Sequence, residues 1–228
     1  KMTEAEIDEV LEAHATAARR AQACGFQGVE VWAAYHSLID QFWTPWSNQR
    51  TDQWGGSLEN RTRFSRELIA RIRRDCGPDF IIGLAISYSP GYSVSLSADD
   101  LCEIISLHDA TGDVDYVTCG YGSYLDFEGI IPPFTHGEKL TTPLTTQLKA
   151  IVKHAVITSE AGVRTPDNAE TIIASVISSA GSMPAANRSM IDTPPPAAAE
   201  NRMRLCDGGT SSATSAAVML TLTAKSRS

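Results

Sequence analysis

Residues 29–64 read VEVWAAYHSLIDQFWTPWSNQRTDQWGGSLENRTRF, and the rest of the chain is organised around them. The stretch begins inside a short apolar run, Gly28 to Ala34, that reads as a buried strand. It ends by opening a helix. Ser57 is the N-cap after the flexible Gly55-Gly56 pair, Glu59 suits the positive helix end, and Phe64, Leu68, Ile69 and Ile72 mark the inner face. Between strand and helix lies one long loop carrying Trp43, Trp46 and Trp54, with Trp32 closing the strand before it. No other segment is as dense in aromatics, special backbone residues and paired charges, so chemistry is sought here first.

Working outward, Thr3 to Cys24 reads as a helix. Thr3 and Glu6 form a T-x-x-E capping box, Gly25 supplies a left-handed C-terminal cap, and Ile7, Val10, Leu11, Ala18 and Ala21 share a face. His14 lies on or beside that face and reads as a packed or surface histidine. Downstream, Gly77-Pro78 ends the second helix, and Phe80 to Ile86 (FIIGLAI) is near-continuously apolar, as parallel strands are. Ser97 caps a helix with Leu101, Ile104 and Ile105 that stops at Gly112, followed by a strand from Asp115 to Cys119. A helix from Thr146 to His154, a strand from Ala155 to Ser159, and a helix opened by Thr165-Pro166 complete the pattern. Strands and helices alternating at roughly 30–40 residue spacing predict parallel β-α units, in a doubly wound sheet or a (β/α)8 barrel. The G-x-G-x-x-G fingerprint is absent, so a dinucleotide-binding version has no support. Four units are legible, whereas a complete barrel needs eight.

The chain has 228 residues and a net charge of −8, which argues against nucleic acid or an anionic membrane as partner. No signal-peptide core and no long apolar run occurs, so the expectation is a cytoplasmic protein with a small-molecule substrate. Cys24, Cys76, Cys102, Cys119 and Cys206 are scattered and never form C-x-x-C. They predict buried thiols rather than disulfides or a metal site. From Ser175 the composition shifts: of the last 54 residues, 25 are Ala, Ser or Thr, and no Phe, Trp or Tyr follows Phe134. Residues 1–174 are therefore expected to fold, and residues 175–228 to be an irregular, disordered or degenerate tail.

Arg50-Thr51-Asp52, Trp54-Gly55-Gly56-Ser57-Leu58-Glu59-Asn60-Arg61 and Arg63-Phe64 resemble the signature of the old yellow enzyme family of FMN-dependent oxidoreductases. Gln41-Phe42, Pro45 and Ala161-Gly162-Val163-Arg164-Thr165-Pro166 agree with it in order. The likeness is greatest to the trimethylamine-dehydrogenase-type, N-demethylating branch. It implies a (β/α)8 TIM barrel of which this chain holds about strands 4 to 7, with FMN across the C-terminal mouth. The R-T-D…S-L-E-N-R string itself reads as structural, pinning the loop through charge-assisted hydrogen bonds.

The resemblance also directs attention to residues. Where ene reductases of the family carry H-x-x-N or H-x-x-H, this chain has Trp32-Ala33-Ala34-Tyr35. That weakens a carbonyl clamp and suits an alkylammonium held over aromatic faces. Trp32 and Tyr35 are thus the candidate cage, with His36 as a neighbouring proton acceptor. For the cofactor, Ala85 stands where the family places an arginine facing the flavin. The Ala161-Gly162 turn offers amides to a phosphate, although Glu160 beside it opposes one by charge. Arg188 faintly echoes the family's phosphate-binding segment. Arg204 and Cys206 echo the start of an iron–sulfur motif, but no further cysteines follow, so no cluster is expected. The readings that stand are FMN-dependent oxidative N-demethylation, an inactive truncated barrel open to self-association through exposed sheet edges, and an ene reductase acting on an activated C=C bond.

Overall fold

The structure is a computed structural model that describes residues 1–177 and 220–223. Its elements are α1 (Glu4–Ala23), β1 (Gly28–Trp32), α2 (Leu38–Trp43), α3 (Leu58–Cys76), β2 (Ile81–Tyr88), α4 (Ala98–Asp109), β3 (Tyr116–Tyr121), α5 (Phe127–Ile130), α6 (Thr142–Ile151), β4 (Val156–Ser159), α7 (Pro166–Ile177) and β5 (Leu220–Thr223). The sheet order is β4-β3-β2-β1-β5. Strands β1 to β4 are parallel neighbours in chain order, each joined to the next through helices.

The register shows which face of the sheet the helices cover. Val29 and Val31, Ile82, Leu84 and Ile86, Val117 and Cys119, and Ile157 share one parity. All of them join one buried cluster with Ile7 and Leu11 of α1, Phe64, Leu68 and Ile72 of α3, Ile104 of α4 and Leu148 of α6. The other parity runs Glu30–Gly83–Tyr116–Val156 in one row and Trp32–Ala85–Thr118–Thr158 in the next. This face mixes glycine, alanine and threonines with Glu30, Trp32 and Tyr116, and none of the eight joins the apolar cluster under the helices. A doubly wound sheet buries both faces under helices, whereas a barrel keeps one face for its lumen. The four parallel strands are accordingly part of a (β/α)8 barrel, and the face outside the apolar cluster is its interior.

The helix starts follow their sequence signals. Thr3 and Glu6 close the capping box of α1, and Ser57 accepts from the Asn60 amide at the start of α3. Four expectations are corrected. The long loop after β1 contains α2, because Leu38, Ile39 and Phe42 put an apolar stripe on a single short helix. Helix α6 starts at Thr142 rather than Thr146, since Pro143 sits in the first turn, where no backbone N–H is needed. The edge of β1, expected to be bare, pairs antiparallel with β5 over Gly28–Val31. That strand comes from the segment read as irregular. Of the four described cysteines only Cys76 and Cys119 are buried; Cys24 is exposed and Cys102 half-buried. Arg188, Arg204 and Cys206 lie outside the described residues. Among the described residues, no helix is long and apolar enough to cross a membrane.

The R-T-D…S-L-E-N-R string works as a brace. Arg50 donates bidentately to Asp52 at 2.9 and 2.7 Å and caps the Met2 carbonyl at 2.7 Å. Arg61 donates to the carbonyls of Trp43 and Gly56, and Asn48 to those of Phe42 and Trp54. Gly55 is required by space, because a Cβ there would lie 2.5 Å from the Arg50 carbonyl oxygen. Beneath the brace, the Trp43 indole donates to Ser65 Oγ, which bonds His108 Nε2 at 2.8 Å. This Ser–His pair is fully buried and structural.

Candidate functional site

The parallel strands end together at one rim, and the residues that leave it build the site. After Trp32 the backbone turns through Tyr35 (φ 59°) and His36 (φ 64°), both left-handed and neither a glycine. Each costs on the order of 1–2 kcal/mol. The turn persists because both peptides are satisfied. The Tyr35 amide donates to Ser87 Oγ at 2.7 Å and the His36 amide to Asp40 Oδ2 at 2.9 Å. The Tyr35 carbonyl accepts from the Tyr124 amide, and that of His36 from Gln41 Nε2. Strain over-determined by its surroundings in this way is typical of functional sites.

The turn sends its two side chains to different places. The Tyr35 ring lies 5.4 Å from the Trp32 ring and 6.1 Å from that of Tyr124. Its hydroxyl rests over Gly120, where a Cβ would come within 2.6 Å. His36 instead sits 5.5 Å from Trp46, with Nδ1 3.6 Å from Asp40 Oδ2. The rings of Trp32 and Tyr35 are therefore neighbours, with Tyr124 added, while His36 faces α2 and does not line the Tyr35 cavity. The buried Trp32 Nε1 donates to no acceptor among the described residues.

That cavity measures about 220 Å³ and is lined by Tyr35, Gly120, Tyr121, Ile130, Pro132, Glu160, Ala161, Gly162, Val163 and Arg164. A larger hollow of about 380 Å³, bordered by Met2, Leu38, Phe42 and Arg50, contains none of the candidate residues. The electrostatics at the rim are acidic. Glu30, 8 % exposed on the interior face, accepts from Thr118 Oγ1 at 2.7 Å. Burial, then Glu160, Tyr124 and Glu30, pushes the Tyr35 phenol above its ordinary range, so it keeps its proton at neutral pH. The Glu160 carboxyl is also raised, first by desolvation and then by Glu30. Glu30 was legible in the sequence, two residues before Trp32 and hence on the same strand face. Tyr124 and Glu160 lie on loops, where no periodicity marks them.

The cofactor candidates fit a flavin only in part. Ala161 (φ 66°) and Gly162 (φ 74°) form a left-handed turn whose amides donate to no acceptor among the described residues, which suits a phosphate. Glu160, however, lines the same cavity and disfavours a dianion there. Ala85 lies 2 % exposed between Trp32 and Thr118 and offers only a methyl group, with no charge for a flavin. The described residues do not by themselves form a flavin seat.

The chain resembles known proteins along most of its length. Over 173 residues it is 36 % identical to the N,N-dimethylglycine/sarcosine dehydrogenase of Chromohalobacter salexigens, covering 75 % of this chain and 25 % of that protein. Over 174 residues it is 31 % identical to the NADH oxidase of Thermoanaerobacter brockii, covering 76 % of this chain and 26 % of that one. It superposes on a 2-naphthoyl-CoA reductase complex with a TM-score of 0.70 at 32 % identity, over 76 % of this chain and 26 % of the other. The chain thus spans about a quarter of the length of the relatives it matches. Residues 1–194 match the NADH:flavin oxidoreductase / NADH oxidase family, and with the barrel strands and the braced R-T-D loop in place, the chain belongs to that family.

Proposed function

We propose that this chain serves a flavin-dependent oxidoreductase that acts on a methylated amine, removing an N-methyl group oxidatively. The observation that carries this reading is the Tyr35 ring, flanked by those of Trp32 and Tyr124, on a cavity that Glu160 also lines. An alkylammonium gains about 0.5–2 kcal/mol from each aromatic face it covers. A carboxylate on the same cavity adds to that attraction. Tyr35, held as a phenol, hydrogen-bonds the amine or its counter-group and fixes its orientation. Glu160 is placed to hold the ammonium proton. His36, turned toward Asp40, supports the backbone of the turn. The electron acceptor is the flavin that the family implies. The relative named for dimethylglycine and sarcosine supports the substrate class, and the substrate remains a small molecule.

One observation favours a second reading. Tyr35 Oη and Trp32 Nε1 are two neighbouring donors able to hold a carbonyl, and the 2-naphthoyl-CoA reductase shares the fold, so reduction of an activated C=C bond is the alternative. Flavin-loaded protein, titrated anaerobically with trimethylamine and other N-methylated amines, distinguishes the two. Bleaching of the flavin absorbance by amines is expected. Turnover of enones with no response to any methylamine would overturn the amine reading. Protein that takes up no flavin and binds neither ligand would fit an inactive truncated barrel.

A further inference from the structure

The four parallel strands have two edges, and the chain treats them differently. On β4, Val156 to Ser159 pair with β3, and β4 is the last strand of the sheet on that side. The Val156 amide donates to the Asp115 carbonyl and the Glu160 amide to that of Cys119, so the even-numbered residues turn their peptide groups to β3. Those of Ile157 and Ser159 point the other way, along an edge that no strand covers among the described residues. The β1 edge is instead occupied. The Ala33 amide donates to the Ala85 carbonyl and the Ile81 amide to that of Gln27, so odd-numbered residues of β1 face β2. Gly28 and Glu30 therefore face outward, and opposite them stand Thr223 and Thr221 of β5. Outward-facing residues of an antiparallel pair exchange both of their backbone bonds, so Thr221 and Thr223 close the ladder. Leu220 and Leu222, opposite Val31 and Val29, turn their amides away from it.

We infer that β5 is a built-in edge guard: it keeps the chain monomeric by holding the β1 edge, which would otherwise accept β4 of a second copy. Strand β5 runs antiparallel in the place where a barrel sets a further parallel strand beside β1. With that place vacated, the two edges of the chain complement each other. They run in the same direction, Val29 and Val31 share the apolar parity with Ile157, and Glu30 shares the interior parity with Val156. A closed barrel needs eight strands, and two copies with four parallel strands each supply them. Pairing each β1 with the other copy's β4 makes the join twice and leaves no parallel edge bare. The β4 edge alone recruits a partner poorly, because it spans four residues, and very short edge strands are poor templates. Occupying β1 is therefore enough to stop closure between copies.

The test uses the full chain, by sedimentation velocity and by residue-resolved amide hydrogen exchange. Wild-type protein should sediment as a monomer at micromolar concentration. Its Glu30 amide, which faces β5, should exchange at least about a hundredfold more slowly than in an unfolded chain, as that of Val31 does through β2. Thr221→Pro removes an amide from the ladder and should double the sedimenting mass as concentration rises. Leu222→Pro is the control: its amide faces away from β1, a position where an edge strand tolerates proline, so the chain should stay monomeric. A wild type that is already dimeric, or a Glu30 amide that exchanges at the unfolded rate, overturns the inference. So does a Thr221→Pro chain that remains monomeric, or one that forms open-ended aggregates rather than a dimer. Equal association of the two proline variants also overturns it, since the ladder would then not be the cause. The wild-type mass and Glu30 exchange decide the matter even if a variant does not fold.

Discussion

Acidification offers a way to weigh the buried network under the R-T-D brace. His108 is 1 % exposed, its Nδ1 bonds the Ile104 carbonyl at 2.7 Å, and its Nε2 faces Ser65 Oγ at 2.8 Å. A carbonyl can only accept, so the neutral ring carries its proton on Nδ1 and accepts from the Ser65 hydroxyl. A second proton would turn the Ser65 hydroxyl to the Thr62 carbonyl, 3.0 Å away, and would bury a positive charge away from water. Burial accordingly pushes the His108 pKa from 6.5 down to about 4. In the unfolded chain the ring titrates near its ordinary 6.5, so between the two values the unfolded state binds the extra proton and the folded state does not. Stability is therefore full above pH 6.5 and is lost as pH falls toward 4. At about 1.4 kcal/mol per pH unit, the whole gap is worth about 3 kcal/mol, of which about 2 kcal/mol should be lost between pH 7 and pH 5.

Urea unfolding followed by far-UV circular dichroism, at pH 7, 6 and 5, measures this directly on the wild type and on His108→Gln. The wild type should lose about 2 kcal/mol more than the variant across that range, while m-values stay constant. Other groups act differently. His14 is lowered by burial and contributes in the same direction, whereas Glu160 is raised and contributes oppositely. Asp52 and Asp75, lowered chiefly by hydrogen bonds from Arg50 and Arg74, matter only below the ordinary carboxylate range. Parallel pH profiles for wild type and His108→Gln would refute the assignment of the loss to His108.

Three further outcomes are expected. Gly120→Ala places a methyl group against the Tyr35 hydroxyl, the movable end of a side chain. Amine affinity should fall about tenfold, with the melting temperature changed by no more than about 2 °C, as calorimetry would show. Asp40→Ala removes the acceptor for the His36 amide and should cost about 1–3 kcal/mol in urea titration, because a left-handed residue then loses a fixing bond. Arg50→Ala releases the bidentate Asp52 pair and the Met2 carbonyl, and should destabilise the chain by about 1–3 kcal/mol while leaving flavin and amine affinities unchanged.

Much of the architecture was legible because it is local. The capping boxes, the glycine stop after α1 and the near-continuous apolar run of β2 each encode one element through its own backbone and period. The R-T-D…S-L-E-N-R string named the family because its arginines and glycines meet requirements of one loop, met within a few dozen residues. Helix α2 and the start of α6 were harder to read, the first because six residues carry little periodicity and the second because proline is a stop or a start depending on its position in the turn.

By itself, then, the sequence determined the alternation of strands and helices and the family. Only the tertiary structure decided the rest. Register assigned the apolar parity to the helices and the mixed parity, with Glu30, Trp32 and Thr118, to a barrel interior. Two consecutive left-handed residues parted Tyr35 from His36, which neighbour each other in sequence. Strand ends far apart along the chain carried Tyr35, Glu160 and Arg164 to one cavity of about 220 Å³. Periodicity reports on which face of an element a residue occupies, whereas a site is made where several elements end. Its charges meet across loops whose conformation is fixed by long-range hydrogen bonds.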